Sequence, residues 1–279
     1  MKKVNTKYIS ELKRENKKFS ALTAYDYSTA RVLDEAGIDI ILVGDSLAMV
    51  ALGYENTNNI SIDEMKIFTK AVAKGVTRAM VVCDMPFMSY HSDIATAITN
   101  IGQAIKAGAN AVKIEGSGEY IYSLVKRCTD FGIPVIGHIG FTPQAINSIG
   151  GHYIQGKTYE ATLELLEQAK KLQEAGAFAI VLEMVPEESA KYISENLSIA
   201  TISCGAGRYC DGQVLVSDDV FGKYSNFKPK FARRYGDMRK LIFDCATQYD
   251  KDVKSGNFPS NEEVFHIEGD ELKHYEIST

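Results

Sequence analysis

The sequence contains no run of about 18 apolar residues, the length that a membrane-spanning helix needs. Its first residues, MKKVNTKYISELKRENKKF, carry charges where a secretion signal has an apolar stretch. We therefore expect a cytoplasmic protein with no membrane partner. The chain also lacks an excess of positive charge, since its formal net charge is −5. Binding to nucleic acid normally requires a basic surface, so we expect a small-molecule ligand instead.

The five cysteines are odd in number and show no CxxC spacing, so neither a disulfide framework nor a thiolate zinc site is indicated. We expect them to be reduced and mostly structural. Hydrophobic residues make up 45% of the chain and charged residues 24%, which is ordinary for a globular protein with a sizeable core. A length of 279 residues suits one large α/β domain.

Short β-rich apolar runs alternate with longer segments of helical period, a pattern typical of a parallel sheet wrapped by helices. The predicted strands are Phe19–Thr23, Asp39–Val43, Met80–Asp84, Ala111–Glu115, Pro134–His138, Phe178–Glu183, Ile199–Cys204 and Gln213–Val216. The predicted helices are Tyr27–Ala36, Ile62–Gly75, Ile94–Ala107, Glu119–Phe131, Tyr159–Ala175, Glu187–Asn196 and one from Tyr235 to about Lys254. Eight strands favour a closed (β/α)8 TIM barrel over an open doubly wound sheet. We divide the chain into an N-terminal extension (1–18), a catalytic barrel (19–258) and a C-terminal tail (259–279).

Acidic residues follow or end several of the apolar strands, where barrel enzymes place their catalytic groups. Neighbouring strands lie about 4.8 Å apart, so Asp45, Asp84 and Glu115 on three consecutive strands can point into one small volume. Three carboxylates so close repel unless a cation or shared protons neutralise them, and an all-oxygen set suits magnesium or a similar divalent ion. The alternative for each acid alone is a helix cap or a surface ion pair.

Lys113 lies two positions before Glu115 and therefore shares its inward face. A lysine inside a barrel must be paired, so we expect it among the carboxylates or on an anionic substrate group. His138 and Glu183 end the next two strands, although His138 could instead be a core histidine. The Gly-Ala-Gly at 205–207 could bind an anion, but a tight turn is the favoured interpretation.

These residues sit in blocks that closely resemble the ketopantoate hydroxymethyltransferase family. The blocks are Thr23-Ala24-Tyr25-Asp26, VGDSLAM (43–49), DMPFMSY (84–90), VKIEG (112–116), GHIGFTPQ (137–144), VLEMVP (181–186), GAG (205–207), DGQVLV (211–216) and FKPKFARRYGDM, and the likeness extends to about Phe265. The resemblance implies a (β/α)8 barrel of the phosphoenolpyruvate/pyruvate-type superfamily. It also implies transfer of a hydroxymethyl group from 5,10-methylenetetrahydrofolate to 3-methyl-2-oxobutanoate, giving 2-dehydropantoate for pantothenate biosynthesis.

By motif match, the resemblance implies a role for each site residue. Asp45, Asp84 and Glu115 would bind Mg²⁺ or a similar ion. Ser46 and Lys113 would hold the keto acid, which Asp45 and Asp84 would also contact. Glu183 would transfer the proton at C3 as a metal-stabilised enolate forms, with His138 as the second candidate. The family also implies a homo-oligomer, usually of ten subunits.

The sequence departs from the family pattern at three residues and at its end. Ala48 replaces a usual glycine, and Ser203-Cys204 replace a usual Gly-Ile. After Phe265 the tail matches nothing in the family.

Two other functions remain open. One is a metal-dependent lyase or carboligase of another 2-oxo acid, related to isocitrate lyase or phosphoenolpyruvate mutase, although a KKCGH-like cysteine signature is lacking. The other is a non-catalytic barrel that serves as a binding module, against which the intact set of acids argues.

Overall fold

The structure, a computed structural model, describes residues 2–223, 228–269, 271 and 275. At its centre eight parallel strands form a closed barrel in sequence order. They are β1 (Phe19–Thr23), β2 (Ile40–Val43), β3 (Met80–Asp84), β4 (Ala111–Glu115), β5 (Val135–Gly140), β6 (Ala179–Glu183), β7 (Ala200–Cys204) and β8 (Gly212–Leu215). The predicted (β/α)8 TIM barrel is confirmed, and the strand bounds differ from the predicted ones by at most two residues.

The helices of the described residues are α1 (Thr6–Arg14), α2 (Tyr27–Glu35), α3 (Leu47–Val50), α4 (Ile62–Gly75), α5 (Ile94–Lys106), α6 (Glu119–Asp130), α7 (Ile146–Ile149), α8 (Tyr159–Glu174), α9 (Glu187–Glu195), α10 (Ser217–Phe221) and α11 (Met238–Ser255). All seven predicted helices are present. The helices α1, α3, α7 and α10 were not predicted, because three of them are only four or five residues long and α1 was assigned to an extension. Within the described residues, no helix is both long and apolar enough to cross a membrane.

Two apolar layers hold the barrel together. The inner layer fills the barrel with buried side chains from alternate positions of the strands, such as Ile40, Leu42, Met80 and Val82. The outer layer packs the other faces of the strands against the helices. Most strands are buried on both faces and therefore read as continuous apolar runs, as strands of parallel sheets do, whereas β8 has the exposed Gln213.

The barrel closes where β8 pairs with β1, with Phe19 opposite Gly212 and Leu22 opposite Leu215. The Phe19 ring occupies the space beside Gly212, where an added Cβ would lie 2.4 Å from a ring carbon. The Phe19 amide donates a hydrogen bond to the Asp211 carbonyl at 3.2 Å. Glycine at position 212 is therefore required for this closure.

The two ends of the chain differ in how they pack. Helix α1 begins after its N-cap Asn5, and Ile9 and Val4 are buried in the inner layer. Helix α11 has no buried residue among its 18 residues. The proposed division at residues 18 and 258 stays a prediction. Met1, residues 224–227, which include the first residue of the FKPKFARRYGDM block, and residues 270, 272–274 and 276–279 of the predicted tail lie outside the described residues.

Candidate active site

The strands bring the predicted site residues to one end of the barrel. Asp84, Glu115 and Glu183 are the last residues of β3, β4 and β6, His138 lies in β5, and Asp45 follows β2. All seven predicted residues line one cavity of about 160 Å³, which we call the site cavity; they are Asp45, Ser46, Asp84, Lys113, Glu115, His138 and Glu183. The structure therefore brings the seven predicted side chains, which come from different strands and loops, into one cavity.

Lys113 lies at the centre of this set, with only 7% of its side chain exposed. Its Nζ is 2.9 Å from Asp84 Oδ1, 3.4 Å from Glu115 Oε1 and 3.2 Å from His138 Nδ1. Burial lowers the pKa of Lys113, but the carboxylates of Asp84, Glu115 and Asp45 outweigh it and raise that pKa well above its ordinary value. Lys113 is therefore a permanent positive charge among these three carboxylates.

Asp45 and Asp84 form a buried pair. The Asp45 amide donates to Asp84 Oδ2 at 3.1 Å. Burial raises the pKa of Asp45 well above its ordinary value, and the charges of Asp84 and Glu115 raise it further. Burial also raises the pKa of Asp84, against the lowering effect of Lys113. Asp84 Oδ1 has no partner with hydrogen-bond geometry despite its proximity to Lys113. The pair is thus short of positive charge.

Glu115, His138 and Glu183 form a line across β4, β5 and β6. His138 Nδ1 is 3.3 Å from Glu115 Oε1, and His138 Nε2 is 3.3 Å from Glu183 Oε2. Burial and Lys113 lower the pKa of His138, whereas Glu115 and Glu183 raise it, to about 9 overall. Burial raises the pKa of Glu115, but Lys113 and His138 lower it to about 2. At neutral pH the imidazole is therefore protonated between two carboxylates.

Gln144 is a site residue that sequence reasoning missed. Its Nε2 donates to Asp45 Oδ2 at 2.9 Å, and its backbone amide donates to Glu115 Oε2 at 3.2 Å. The hydroxyl of the buried Tyr90 donates to Gln144 Oε1 at 2.8 Å. Gln144 thus fixes two acids from different strands. Its place in the GHIGFTPQ block was the available signal, but the block gave no reason to expect the loop after β5 to return over β2.

Ser46 is positioned by two neighbours. Its hydroxyl lies 3.0 Å from the hydroxyl of Tyr25, a residue that also went unpredicted as part of the site. Gly44 leaves room for it, since a Cβ there would lie 2.8 Å from Ser46 Oγ and 3.6 Å from Asp84 Oδ2. The glycine in the VGDS block is therefore needed for Ser46 to turn toward the cavity.

The remaining wall of the site cavity is largely apolar and includes Cys204, Val214, Leu215, Pro229 and Phe231. The Phe231 ring packs on Gly205, where a Cβ would lie 2.6 Å from it. Both glycines of the 205–207 turn have a positive φ. The favoured interpretation of this segment, a tight turn, is confirmed. The five cysteines are free, and only Cys245 is exposed.

Metal-ligating geometry is not formed in the part of the chain that the structure describes, since no three Asp, Glu, His or Cys side chains are arranged to hold an ion. Lys113 lies between Asp84 and Glu115 and accounts for this arrangement. The donor set is nevertheless rich in oxygen, because five acidic side chains line the cavity together with Lys113 and His138; they are Asp45, Asp84, Glu115, Glu183 and Asp219. Such a set has the composition that hard divalent ions prefer.

Comparison with known proteins identifies relatives over nearly the whole chain. A family model described as ketopantoate hydroxymethyltransferase matches residues 3–261. The 3-methyl-2-oxobutanoate hydroxymethyltransferase of Clostridium botulinum (strain Loch Maree / Type A3) is 51% identical over 261 residues, which cover 93% of this chain and 94% of the relative. The protein of the same name from Thermoanaerobacter sp. (strain X514) is 48% identical over 272 residues, which cover 97% of this chain and 99% of the relative.

Solved structures show the same fold at low identity. Phosphonopyruvate hydrolase, in a complex with oxalate and Mg++, aligns with a TM-score of 0.60 at 13% identity, covering 97% of each chain. The 2,3-dimethylmalate lyase, a member of the PEP mutase/isocitrate lyase superfamily, aligns with a TM-score of 0.58 at 13% identity, covering 93% of this chain and 91% of the other. At this level of identity the likeness supports the barrel fold.

Proposed function

Because the chain belongs to the ketopantoate hydroxymethyltransferase family, we propose that it transfers a hydroxymethyl group from 5,10-methylenetetrahydrofolate to 3-methyl-2-oxobutanoate. The product would be 2-dehydropantoate, an intermediate of pantothenate biosynthesis. The observation that carries the proposal is the convergence of Lys113 and four strand-end acids on a cavity of about 160 Å³. That volume suits a small keto acid. Cytoplasmic location stays a prediction.

A divalent ion, Mg²⁺ in the first instance, fits the charge of this site. Asp45 and Asp84 would hold it directly, because burial raises the pKa of both carboxyl groups and the 2.9 Å ion pair of Asp84 Oδ1 with Lys113 does not offset this effect. Both carboxyl oxygens of Glu115 already have partners, so this third proposed ligand would exchange one of them. When bound, the cation would supply a Lewis acid that withdraws charge from the oxygens of the keto acid.

The protein's own side chains would bind the keto acid and move one proton. Lys113 would attract its carboxylate, and Ser46 would donate a hydrogen bond to it. Glu183 would take the proton from C3, because it lines the cavity with a carboxylate oxygen 3.3 Å from the His138 ring. His138 is already protonated at neutral pH and so is a poor base. We propose that His138 orients Glu183 instead.

Exchange of the C3 proton tests this function without the folate. In D2O, we expect the protein to exchange that proton of 3-methyl-2-oxobutanoate with Mg²⁺, to lose this activity with a chelator, and to form product once 5,10-methylenetetrahydrofolate is added. Glu183→Gln should lower exchange by about 100-fold to 10,000-fold, the usual contribution of a general base. Glu188→Gln, an exposed acid five residues away, is the matched control and should exchange normally.

The outcomes separate the alternatives. Exchange without folate-dependent product would favour a lyase or carboligase of another 2-oxo acid. Absence of exchange with any divalent ion would favour the non-catalytic barrel. Normal exchange by Glu183→Gln would remove Glu183 from the proposed role.

We also propose that the protein is a homo-oligomer in which another copy covers α11. Met238, Leu241, Ile242, Cys245, Tyr249 and Val253 recur at helical spacing on this helix and are all exposed. A helix normally stabilises itself by burying such a stripe, and the described residues of the same chain do not cover it. A decamer follows from family resemblance alone.

A further inference from the structure

A second cavity, of about 400 Å³, adjoins the site cavity above β3, β4 and β5. We call it the side cavity, and its lining includes Asn58, Phe87, Tyr90, His91, Glu115 and Ser148. Glu115 lines both cavities. A molecule in the side cavity would therefore border directly on a keto acid in the site cavity.

Size separates the two cavities. Ligand sites usually occupy about 300–1,000 Å³. The site cavity, at about 160 Å³, is smaller than this range, whereas the side cavity, at about 400 Å³, lies within it. The proposed reaction needs two substrates, and the larger one requires the larger space.

The side cavity has an aromatic wall. The ring centroids of Tyr90 and His91 are 4.0 Å apart, and those of Phe87 and His91 are 5.3 Å apart. Tyr90 is held in place because its hydroxyl donates to Gln144 Oε1 at 2.8 Å and lies 3.2 Å from Glu115 O. Such a wall favours a flat ring that can stack on it.

The charges and hydrogen-bond acceptors of the lining restrict the chemical class of ligand that fits the side cavity. Burial lowers the pKa of His91, so this ring is neutral at pH 7 and Glu115 is the charged group among the described lining residues. Asn58 Oδ1 is buried without a hydrogen-bond partner, while its Nδ2 donates to Gln144 O at 3.2 Å. A buried acceptor normally finds a donor. The lining thus fits a neutral flat heterocycle with N–H donors, and it disfavours a phosphorylated ligand.

We propose that the side cavity binds the pterin ring of the reduced-folate substrate, with the ring against the aromatic wall and an N–H donor on Asn58 Oδ1. This inference rests on the proposed function. The one-carbon unit would then face the boundary at Glu115, where the two cavities meet.

Two substitutions test the site through binding of tetrahydrofolate, measured by calorimetry under anaerobic conditions. Ser148→Trp would fill the exposed rim of the side cavity and should weaken tetrahydrofolate binding at least tenfold. Asn58→Leu keeps the size of the side chain but removes both the Oδ1 acceptor and the Nδ2 donor to Gln144 O, and should weaken binding about fivefold. The matched control is Ala161→Trp, which adds the same bulk to a neighbouring cavity of about 260 Å³ and should bind normally.

Folate-free exchange of the C3 proton, measured on the same samples, shows whether each variant is folded and separates this inference from the proposed function. Wild-type exchange rates with weakened tetrahydrofolate binding in both variants support the site. Wild-type affinity in Ser148→Trp and Asn58→Leu, or weaker binding in Ala161→Trp alone, would overturn it while leaving the proposed function intact. If the wild-type protein neither exchanges the proton nor binds tetrahydrofolate, the proposed function and this inference fail together.

Discussion

Replacing Lys113 by methionine removes the central positive charge from the buried carboxylates of Asp45, Asp84 and Glu115 while keeping a side chain of similar length. Breaking a buried ion pair in this way costs about 3–5 kcal/mol. With about 2–4 °C per kcal/mol for a protein of this size, Tm should fall by roughly 6–20 °C when a chelator is present. Lys126→Met, at an exposed lysine on α6, is the matched control and should change the free energy of unfolding by about 0.5 kcal/mol or less.

The stability lost in Lys113→Met should depend on pH and on the presence of the divalent ion. The pKa values of Asp45 and Asp84 are already raised in the folded protein, and without Lys113 they rise further. A raised carboxyl pKa makes the folded state lose stability as pH increases through it, so the deficit of Lys113→Met should be larger at pH 8 than at pH 5. Mg²⁺ at 100 times its Kd would raise the free energy of unfolding by about 2.7 kcal/mol.

Differential scanning calorimetry at both pH values, with chelator and with Mg²⁺, measures the fall in Tm, its dependence on pH and its recovery with the cation. A Tm for Lys113→Met within 2 °C of the control at pH 8 would refute the assignment of Lys113 as the counter-charge of the site. An equal deficit at pH 5 and pH 8 would refute the protonation argument.

Three further predictions concern other parts of the molecule. Asp34 accepts hydrogen bonds from the amides of residues 77–79. Burial raises the pKa of Asp34, but these bonds bring it below the ordinary value. Asp34→Asn should therefore lower the free energy of unfolding, measured with urea at pH 7, by about 1.5–3 kcal/mol. A carboxyl group with a lowered pKa stabilises the folded protein at pH values above its unfolded pKa, here about 3.8. The cost of Asp34→Asn should therefore diminish and disappear as the pH falls below that value, and a cost that stays constant with pH would contradict this prediction. Gln144→Leu removes the Nε2 donor from Asp45 Oδ2 but keeps the backbone amide that donates to Glu115. It should lower kcat/KM about tenfold to 100-fold without unfolding the protein; unchanged kinetics would contradict its positioning role. Leu241→Glu should reduce the oligomer mass in sedimentation, whereas Thr247→Glu, off the apolar stripe of α11, should not; an unchanged mass would place the interface elsewhere.

The strand-end acids were predictable because their signal is local. A parallel strand buried on both faces reads as an apolar run, and the first polar residue after it marks the end of the barrel where side chains meet. Asp84 and Glu183 follow this rule, and Glu115 ends a strand that Lys113 interrupts two positions earlier. Their common cavity then follows from the closed topology.

Gln144 and α11 show that local sequence patterns do not predict contacts between distant segments or between chains. Gln144 reaches Asp45 only because the loop after β5 turns back over the barrel, and the two residues are 99 positions apart. The stripe on α11 predicted a helix correctly, but periodicity does not tell whether its partner is the same chain or another. The side cavity likewise depends on the four loops that follow β2, β3, β4 and β5, and no single segment encodes their relative placement.

The closure between Phe19 and Gly212 has a consequence for the nascent chain. Strand β1 emerges from the ribosome early, but its second neighbour is made about 190 residues later, a delay of roughly 10–40 s at ordinary rates of translation. Throughout that interval one edge of β1 has unpaired amides and carbonyls, which are a template for aggregation. A chaperone that shields this edge during synthesis should therefore increase the yield of native protein more than one that acts after release.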